Sequence, residues 1–379
     1  MSARIRLKDM PLVLVNNFLA GANTYMAGRP GIGKSMTIED YATKMQARMP
    51  EFQFFRFYAP TMSPMDIVAS APDYDRGTLK LYVNEALPNA YRDPDLKGAI
   101  FFGELPNADP ATLKLLQKYI NGEDMSGCLR KPEGIVVIAD GNRLEDRSGV
   151  QQQGRAFMSR FEQVEVYTTA DDNVEHAAKH NFHPHVQTFF RDNPALIDNY
   201  DEVFETGDAV LQRGDKARSS NGNNQQTEEG RRGVWANMRS WERISNKEFA
   251  SEKMNRAGGV TQSEIGGNVG TAVAAQYEAH RKILGSLTSF TDIMADPANA
   301  PIPEKMDEQY MLAMLVGLRC SNEQLGNVRV FGQRMPKEMQ ALMLTTLTKR
   351  NGKGIALTSS SDYLKWISDT SLTALIKGV

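Results

Sequence analysis

"NTYMAGRPGIGKS", Asn23 to Ser35, decides the fold. A short β-like run enters a glycine-rich loop, and "SMTIEDYATKMQARM" leaves it with the pattern of a helix. The loop fits G-x-x-x-x-G-K-[ST], with Gly28, Gly33, Lys34 and Ser35 at the fixed positions and Arg29, Pro30, Gly31 and Ile32 between them. Glycines let the backbone curl so that successive N–H groups point at phosphate oxygens, and the following helix adds its positive N-terminal end. In such a loop the lysine reaches the β- and γ-phosphates, and the serine hydroxyl serves Mg²⁺. The plain alternative is a glycine-rich turn. The strand before the loop and the helix after it argue against that.

Working outward, "FQFFRFYA" reads as a second strand, "GAIFFGE" as a third, "GIVVIADGN" as a fourth and "FEQVEVY" as a fifth. Helical patterns such as "DPATLKLLQKYI" separate them. This alternation predicts an α/β core over 1–168, with a parallel five-stranded sheet covered on both faces. The aromatic run "FQFFRFY" reads as a buried parallel strand, not as a platform for stacking bases. Past about Thr169 the strand-like runs stop. Helical stretches such as "AVAAQYEAHRKILGSL" predict an all-α region over 169–300. Within it the polar segment 213–233 reads as a mobile loop or insertion. A linker, "ADPANAPIPEK", precedes a C-terminal helical region over 301–379, whose methionines read as core filler.

The bulk numbers exclude some classes. At 379 residues the chain is long enough for two or three domains, and its net charge of −2 carries no global basic field toward nucleic acid or lipid. Two cysteines, Cys128 and Cys320, form neither a C-x-x-C motif nor a disulfide framework. The N-terminal apolar run is too short and interrupted for a signal peptide, and no stretch reaches the ~18 apolar residues of a membrane span. The expectation is a cytoplasmic protein with no membrane partner.

"AIFFGELPN" supplies the second half of the chemistry. An apolar strand ending in an acid puts Glu104 at the C-terminal edge of the sheet, where open α/β sheets bind ligands. There it is suited to orient or activate a water, against the duller reading of a surface-turn glutamate. Gly103, just before it, has no side chain to order water around a metal, which leaves Ser35, phosphate oxygens and water as the magnesium ligands. "VVIADGNR" places Asn142 beyond another buried strand, where a neutral amide can position water without adding repulsion.

In this order, "GRPGIGKS", "FFGELPNADPATLKLLQKYI", "IADGNRLEDRSGV" and "FMSRFEQVEV" resemble the AAA+ ATPases of the MoxR type, in a bacterial and phage branch. The resemblance spans nearly the whole chain, with weaker matches in "WANMRSWERIS", "GGNVGTAVAAQYEAHRKI" and "RMPKEMQALML". It implies ATP as the nucleotide and Mg²⁺ as its metal. Gly28 to Ser35 become the Walker A loop, Glu104 the Walker B glutamate and Asn142 sensor 1. Arg160 becomes the arginine finger that reaches a neighbouring subunit, and Arg239 in the helical lid becomes sensor 2. It further implies a homo-oligomer, usually a hexameric ring, that remodels or matures a protein client, often one with a von Willebrand A-type domain. The segments "MSPMDIVASAPDYDRGTLKLYVN" and "INGEDMSGCLRKPEG" would face that client.

Gly103 departs from the family, which carries Asp there. Asp140, two residues before Asn142, is a candidate to take over part of the missing role beside the metal; a polar pocket with no such role is the alternative. Two rival functions stay open. One is a nucleotide-gated assembly subunit that hydrolyses poorly because of Gly103. The other is a nucleic-acid motor, which the near-neutral charge disfavours. "HAAKHNFHPH" gathers His176, His180, His183 and His185, but lacks H-E-x-x-H and nearby cysteines, so it reads as a solvated helix end and not a zinc site.

Overall fold

The computed structural model describes residues 3–143, 146, 154–200, 234–349, 360–368 and 372, so the 213–233 segment lies outside the described residues. The chain forms two compact units, Met1–Thr169 and Ala170–Val379. In the first, with strands numbered along the chain, β1 (Ala3–Arg6), β2 (Thr24–Ala27), β3 (Phe52–Tyr58), β6 (Lys97–Gly103), β7 (Ile135–Gly141) and β8 (Glu162–Tyr167) make one sheet. Its order is β1-β8-β2-β7-β6-β3, and every pairing is parallel. The strands β4 (Val68–Asp73) and β5 (Thr78–Val83) form a separate antiparallel hairpin.

The two faces of the sheet bury alternate residues of the same strands. On one, α1 (Met10–Ala20) and α2 (Lys34–Arg48) bring Leu14, Ile38 and Tyr41 against Met26, Phe101 and Ile138. On the other, α3 (Pro110–Ile120) brings Leu116 and Tyr119 against Ile100, Phe102 and Ala139. Burial on both sides explains why β6 and β7 read as nearly unbroken apolar runs. Each fully buried Ile or Phe contributes about 1.5–3 kcal/mol, so this sandwich is the rigid base of the first unit. Asp109 caps α3 by accepting from the amides of Ala111 and Thr112, with Pro110 preset for the first turn.

Two expectations about the sheet need correction. The parallel sheet has six strands, not five. The sixth, β1, is four residues of alternating character ("ARIR"), too short to stand out, and pairs along β8 with Arg4 3.4 Å from Glu165. The aromatic strand β3 is not buried but lies at the sheet edge, where Phe52 is buried and Tyr58 is 49% exposed. Its rings still pack on both faces of the sheet, Phe52 edge-on to Phe18 at 5.2 Å and to Tyr41 at 6.1 Å on one, and Phe57 stacking on Phe102 at 5.7 Å on the other.

The second unit is helical throughout its described residues. Following α4 (Arg155–Met158) of the first unit, it comprises α5 (Ala170–Lys179), α6 (Pro184–Asp192), α7 (Met238–Lys253), α8 (Gln262–Val269) and α9 (Thr271–Ser286). It continues with α10 (Phe290–Ala295), α11 (Met306–Arg319), α12 (Leu325–Gly332), α13 (Lys337–Lys349) and α14 (Ser361–Ile367). Trp241 centres one core with Phe189, Phe190 and Tyr277, and Trp366 closes another with Phe331, Leu312 and Met343. The methionines Met311, Met339 and Met343 of α11 and α13 thus fill a core.

The histidine segment is only partly the solvated helix end expected of it. His180 is exposed, but His183 is fully buried as the N-cap of α6. Its Nδ1 accepts from the His185 amide at 3.2 Å, and its Nε2 stands 3.1 Å from the Glu252 carboxylate. Pro184 opens a new helix at this point. The turn folds inward, so that the ring caps the new helix at Nδ1 and faces a carboxylate at Nε2.

Candidate functional site

The glycine loop, Glu104, Asp140 and Asn142 lie together at the C-terminal edge of the parallel sheet. Leaving β2, the chain passes Gly28, whose amide donates to the Gly141 carbonyl at 3.2 Å. A Cβ at Gly28 would lie 2.8 Å from Val166 Cγ2 and 3.0 Å from the Val166 carbonyl oxygen, so the approach to β8 requires glycine. Gly31 and Gly33 turn the chain through left-handed conformations, with φ of 81° and 99°. Gly33 then opens α2 with no side chain capping it, which leaves first-turn amides for an anion.

Lys34 is buried and folded back over this loop. Its Nζ donates to the carbonyls of Gly28 (2.7 Å) and Arg29 (2.9 Å) and to Oδ1 of Asn142 (3.1 Å). Asn142 follows the end of β7, which pairs with β2, so the lateral order of the sheet creates this contact. Next along α2, the Ser35 hydroxyl donates to Asp140 Oδ2 at 3.1 Å. The other oxygen of Asp140, Oδ1, accepts from the Glu104 amide at 2.8 Å.

Glu104 itself sits in the left-handed region, with φ 51° and ψ 40°, at the end of β6. A non-glycine residue there stores strain on the order of 1–3 kcal/mol, which the surroundings must overcome. The Asp140 bond to its amide is one such restraint. The side chain is held as well, since Oε2 accepts from the Tyr58 hydroxyl (2.9 Å) and from Asn107 Nδ2 (3.2 Å). Burial pushes the Asp140 carboxyl above the usual carboxylate range, against the Glu104 amide, the Lys34 charge and the Ser35 hydroxyl, which favour its anion. The buried Tyr25 phenol is raised too, first by desolvation and then by the Asp140 charge. A positive charge arriving near Ser35 would therefore meet a carboxylate that gains by being neutralised.

Of the residues singled out in the sequence, the Gly28–Ser35 loop, Glu104, Asp140 and Asn142 come together here. Arg160 lies in the turn between α4 and β8, where its carbonyl accepts from Asn23 Nδ2 at 3.4 Å. Arg239 is exposed in the first turn of α7, within the helical unit. Sequence reading missed Tyr58 and Asn107, the two side chains that hold Glu104. Asn23 was missed as well; it ties β7 to the Arg160 turn, its Oδ1 accepting from the Val137 amide at 2.8 Å. Asn107 had a local signal in the "ELPN" turn, whereas Tyr58 reaches Glu104 only through the pairing of Tyr58 with Gly103. Among the described residues, no three His, Cys, Asp or Glu side chains are grouped to hold a metal ion, and no helix is long and apolar enough to cross a membrane.

No protein-family model matches the chain, and no curated protein matches it. Solved structures similar to it include a protein provisionally described as an ATPase from Cytophaga hutchinsonii. That pair is 11% identical with a TM-score of 0.34, over 100% of this chain and 91% of the other. A point mutant of Thermotoga maritima RuvB is 12% identical with a TM-score of 0.34, over 77% of this chain and 75% of that one. NtrX from Brucella abortus is 14% identical with a TM-score of 0.34, over 94% and 64% of the two chains. At that distance, function has to be argued from the site.

Proposed function

We propose that this chain binds and hydrolyses ATP as an AAA+ ATPase of the MoxR type, working as a homo-oligomeric ring, usually six subunits, on a protein client. One observation carries the proposal. The loop lysine meets Asn142, and the loop serine reaches the turn of Glu104 through Asp140, all at one edge of the sheet. Those are groups that γ-phosphate cleavage by water can use.

In this reading the loop amides hold the phosphates, and Lys34 exchanges its bonds with the Gly28 and Arg29 carbonyls for the β- and γ-phosphate oxygens. Glu104, held by Tyr58 and Asn107, orients the attacking water, and Asn142 positions it without adding negative charge. The donors beside the loop are a hydroxyl and a carboxylate, hard oxygen groups that suit Mg²⁺. Mg²⁺ at Ser35 would supply charge neutralisation. Arg160 would act as the finger toward a neighbouring subunit and Arg239 as sensor 2. Regions 169–300 and 301–379 would serve as lid and C-terminal region.

The β4–β5 hairpin, with Tyr74 89% and Leu79 69% exposed, suits a client-facing role, as does the turn bridged at Met125 and Leu129. A von Willebrand A-type protein is the candidate client, and the cytoplasm the setting. The absent side chain at Gly103 supports a second reading, a subunit that binds ATP to set assembly and hydrolyses it slowly.

Turnover measured with Mg²⁺ over a range of protein concentrations separates the two. For the main reading, activity rises with assembly and collapses in Glu104→Gln and in Arg160→Ala, since an arginine finger is worth roughly 10³–10⁵ in rate. Tight ATP binding without turnover, alone or with client, selects the assembly subunit. No nucleotide binding overturns both.

A further inference from the structure

We propose that Asp140 is the metal-side carboxylate of this site, transposed to β7 from the neighbouring β6, where Gly103 stands at the position the family fills with aspartate. The inference rests on the nucleotide-binding reading and assigns a positioning role within it. Phe102 pairs with Ala139 in the β6–β7 ladder. One residue further on, position 103 comes level with Asp140, and in a parallel pair such residues share a face. That face is the α2 side, since Met26, the β2 partner of Asp140, packs there with Phe101, Ile138 and Ile38. Two adjacent positions on one surface thus lie under the start of α2, one bare and one acidic.

The acid is engaged, not merely nearby. Its two oxygens divide between Ser35, whose hydroxyl is the metal ligand of such loops, and the amide of Glu104. Only 3% of Asp140 is exposed, and a buried carboxylate is costly unless it is bonded and faces a cation. Lys34 provides part of that field. A divalent ion at Ser35 would complete it, while the Oδ1 bond keeps the strained Glu104 turn in place.

The vacancy at 103 is also real space. A Cβ there would meet Phe101 Cζ and Tyr58 Cδ2 at 3.6 Å each, ordinary contact distances, and the glycine has no positive φ to forbid a side chain. The backbone and the first side-chain carbon at 103 therefore do not forbid an aspartate. With Asp140 still present, it would set two carboxylates side by side, which cannot both ionise comfortably.

This geometry is tested by a two-position cycle on the full chain, reading the affinity for fluorescent ADP with and without Mg²⁺, and the unfolding temperature without nucleotide. The wild type should bind more tightly with Mg²⁺. Asp140→Asn, nearly the same shape, should lose about tenfold of that gain, the scale of one charge-assisted bond, read as the ratio of Mg²⁺-bound to Mg²⁺-free affinity within the variant itself. Gly103→Asp alone should lower the unfolding temperature. The double variant Gly103→Asp with Asp140→Asn should recover the Mg²⁺ gain, because the charge is back on the same face. Full Mg²⁺ enhancement in Asp140→Asn overturns the transposition, as does a double variant no better than Asp140→Asn. Equal loss of Mg²⁺-free and Mg²⁺-bound affinity overturns it too, since Asp140 would then be structural. Absence of nucleotide binding in the wild type defeats the underlying reading instead, and is seen before any variant is made.

Discussion

Lowering the pH from 7 to 5 should weaken the helical unit through two buried histidines, and the size follows from their surroundings. Burial holds His185 down to about 3, with His183 and Arg319 adding to the effect, and burial alone holds His280 down to about 4. Both lie around Thr188, whose hydroxyl is 2.9 Å from His280 Nε2 and 3.0 Å from the His185 carbonyl oxygen. The unfolded chain takes up these protons near its ordinary value of 6.5, while the folded unit refuses them. Stability is therefore present above 6.5 and is lost as pH falls. Each histidine gives up about 2 kcal/mol between pH 7 and 5, and the pair about 4. Glu252, lowered to about 2 mainly by its bond to His183, stays charged in this window. Glu248 and Asp192, raised by burial, act in the opposite sense, so histidine replacements isolate the effect better than a bare pH profile. All three tryptophans (Trp235, Trp241 and Trp366) belong to the helical unit, so indole fluorescence during urea unfolding reports on it alone. In His280→Gln or His185→Gln the stability difference between pH 7 and 5 should shrink by about 2 kcal/mol. An unchanged difference in both variants would falsify the assignment of these rings as neutral groups excluded from water.

Lys34→Ala removes the charge that the loop carbonyls and Asn142 now share, so fluorescent-nucleotide affinity should fall at least about tenfold; unchanged affinity would mean that the loop is only a turn. Asn142→Ala should leave that affinity within a few-fold but lower steady-state ATP turnover by about a hundredfold, as loss of one preorganised polar group does. Gly28→Ala drives a methyl into Val166 and should cost about 1–3 kcal/mol, seen as faster amide hydrogen exchange in β2 and β8; exchange at the wild-type rate would refute the close approach.

What could be read from the residues depended on how local each signal was. The glycine loop was legible because its chemistry and its φ requirements lie within eight consecutive positions, between a strand and a helix. Strands β6 and β7 were legible because burial on both faces leaves an apolar run with acids or amides at its end. β1 was not, since four residues carrying two arginines are too few for their alternation to stand out. The edge position of β3 was hidden for a different reason. Its aromatic composition reports that rings are covered, not from which side, and only the lateral order shows that β6 is its sole partner strand. Tyr58 is the functional consequence of that order, because an edge residue paired with Gly103 can turn its hydroxyl onto Glu104.

The same lateral information decides how Gly103 is understood. Along the chain it is a missing acid, thirty-odd positions before an aspartate that belongs to another strand. Across the sheet the two positions are neighbours on one face, beneath one serine. Ser35 and the Glu104 amide sample that surface at hydrogen-bond range, wherever along the chain its carboxylate originates. What those two groups meet is a carboxylate at one place on the face, and either strand can present one there. A glycine at the motif position is then no argument for a dead site until the adjacent strand has been inspected.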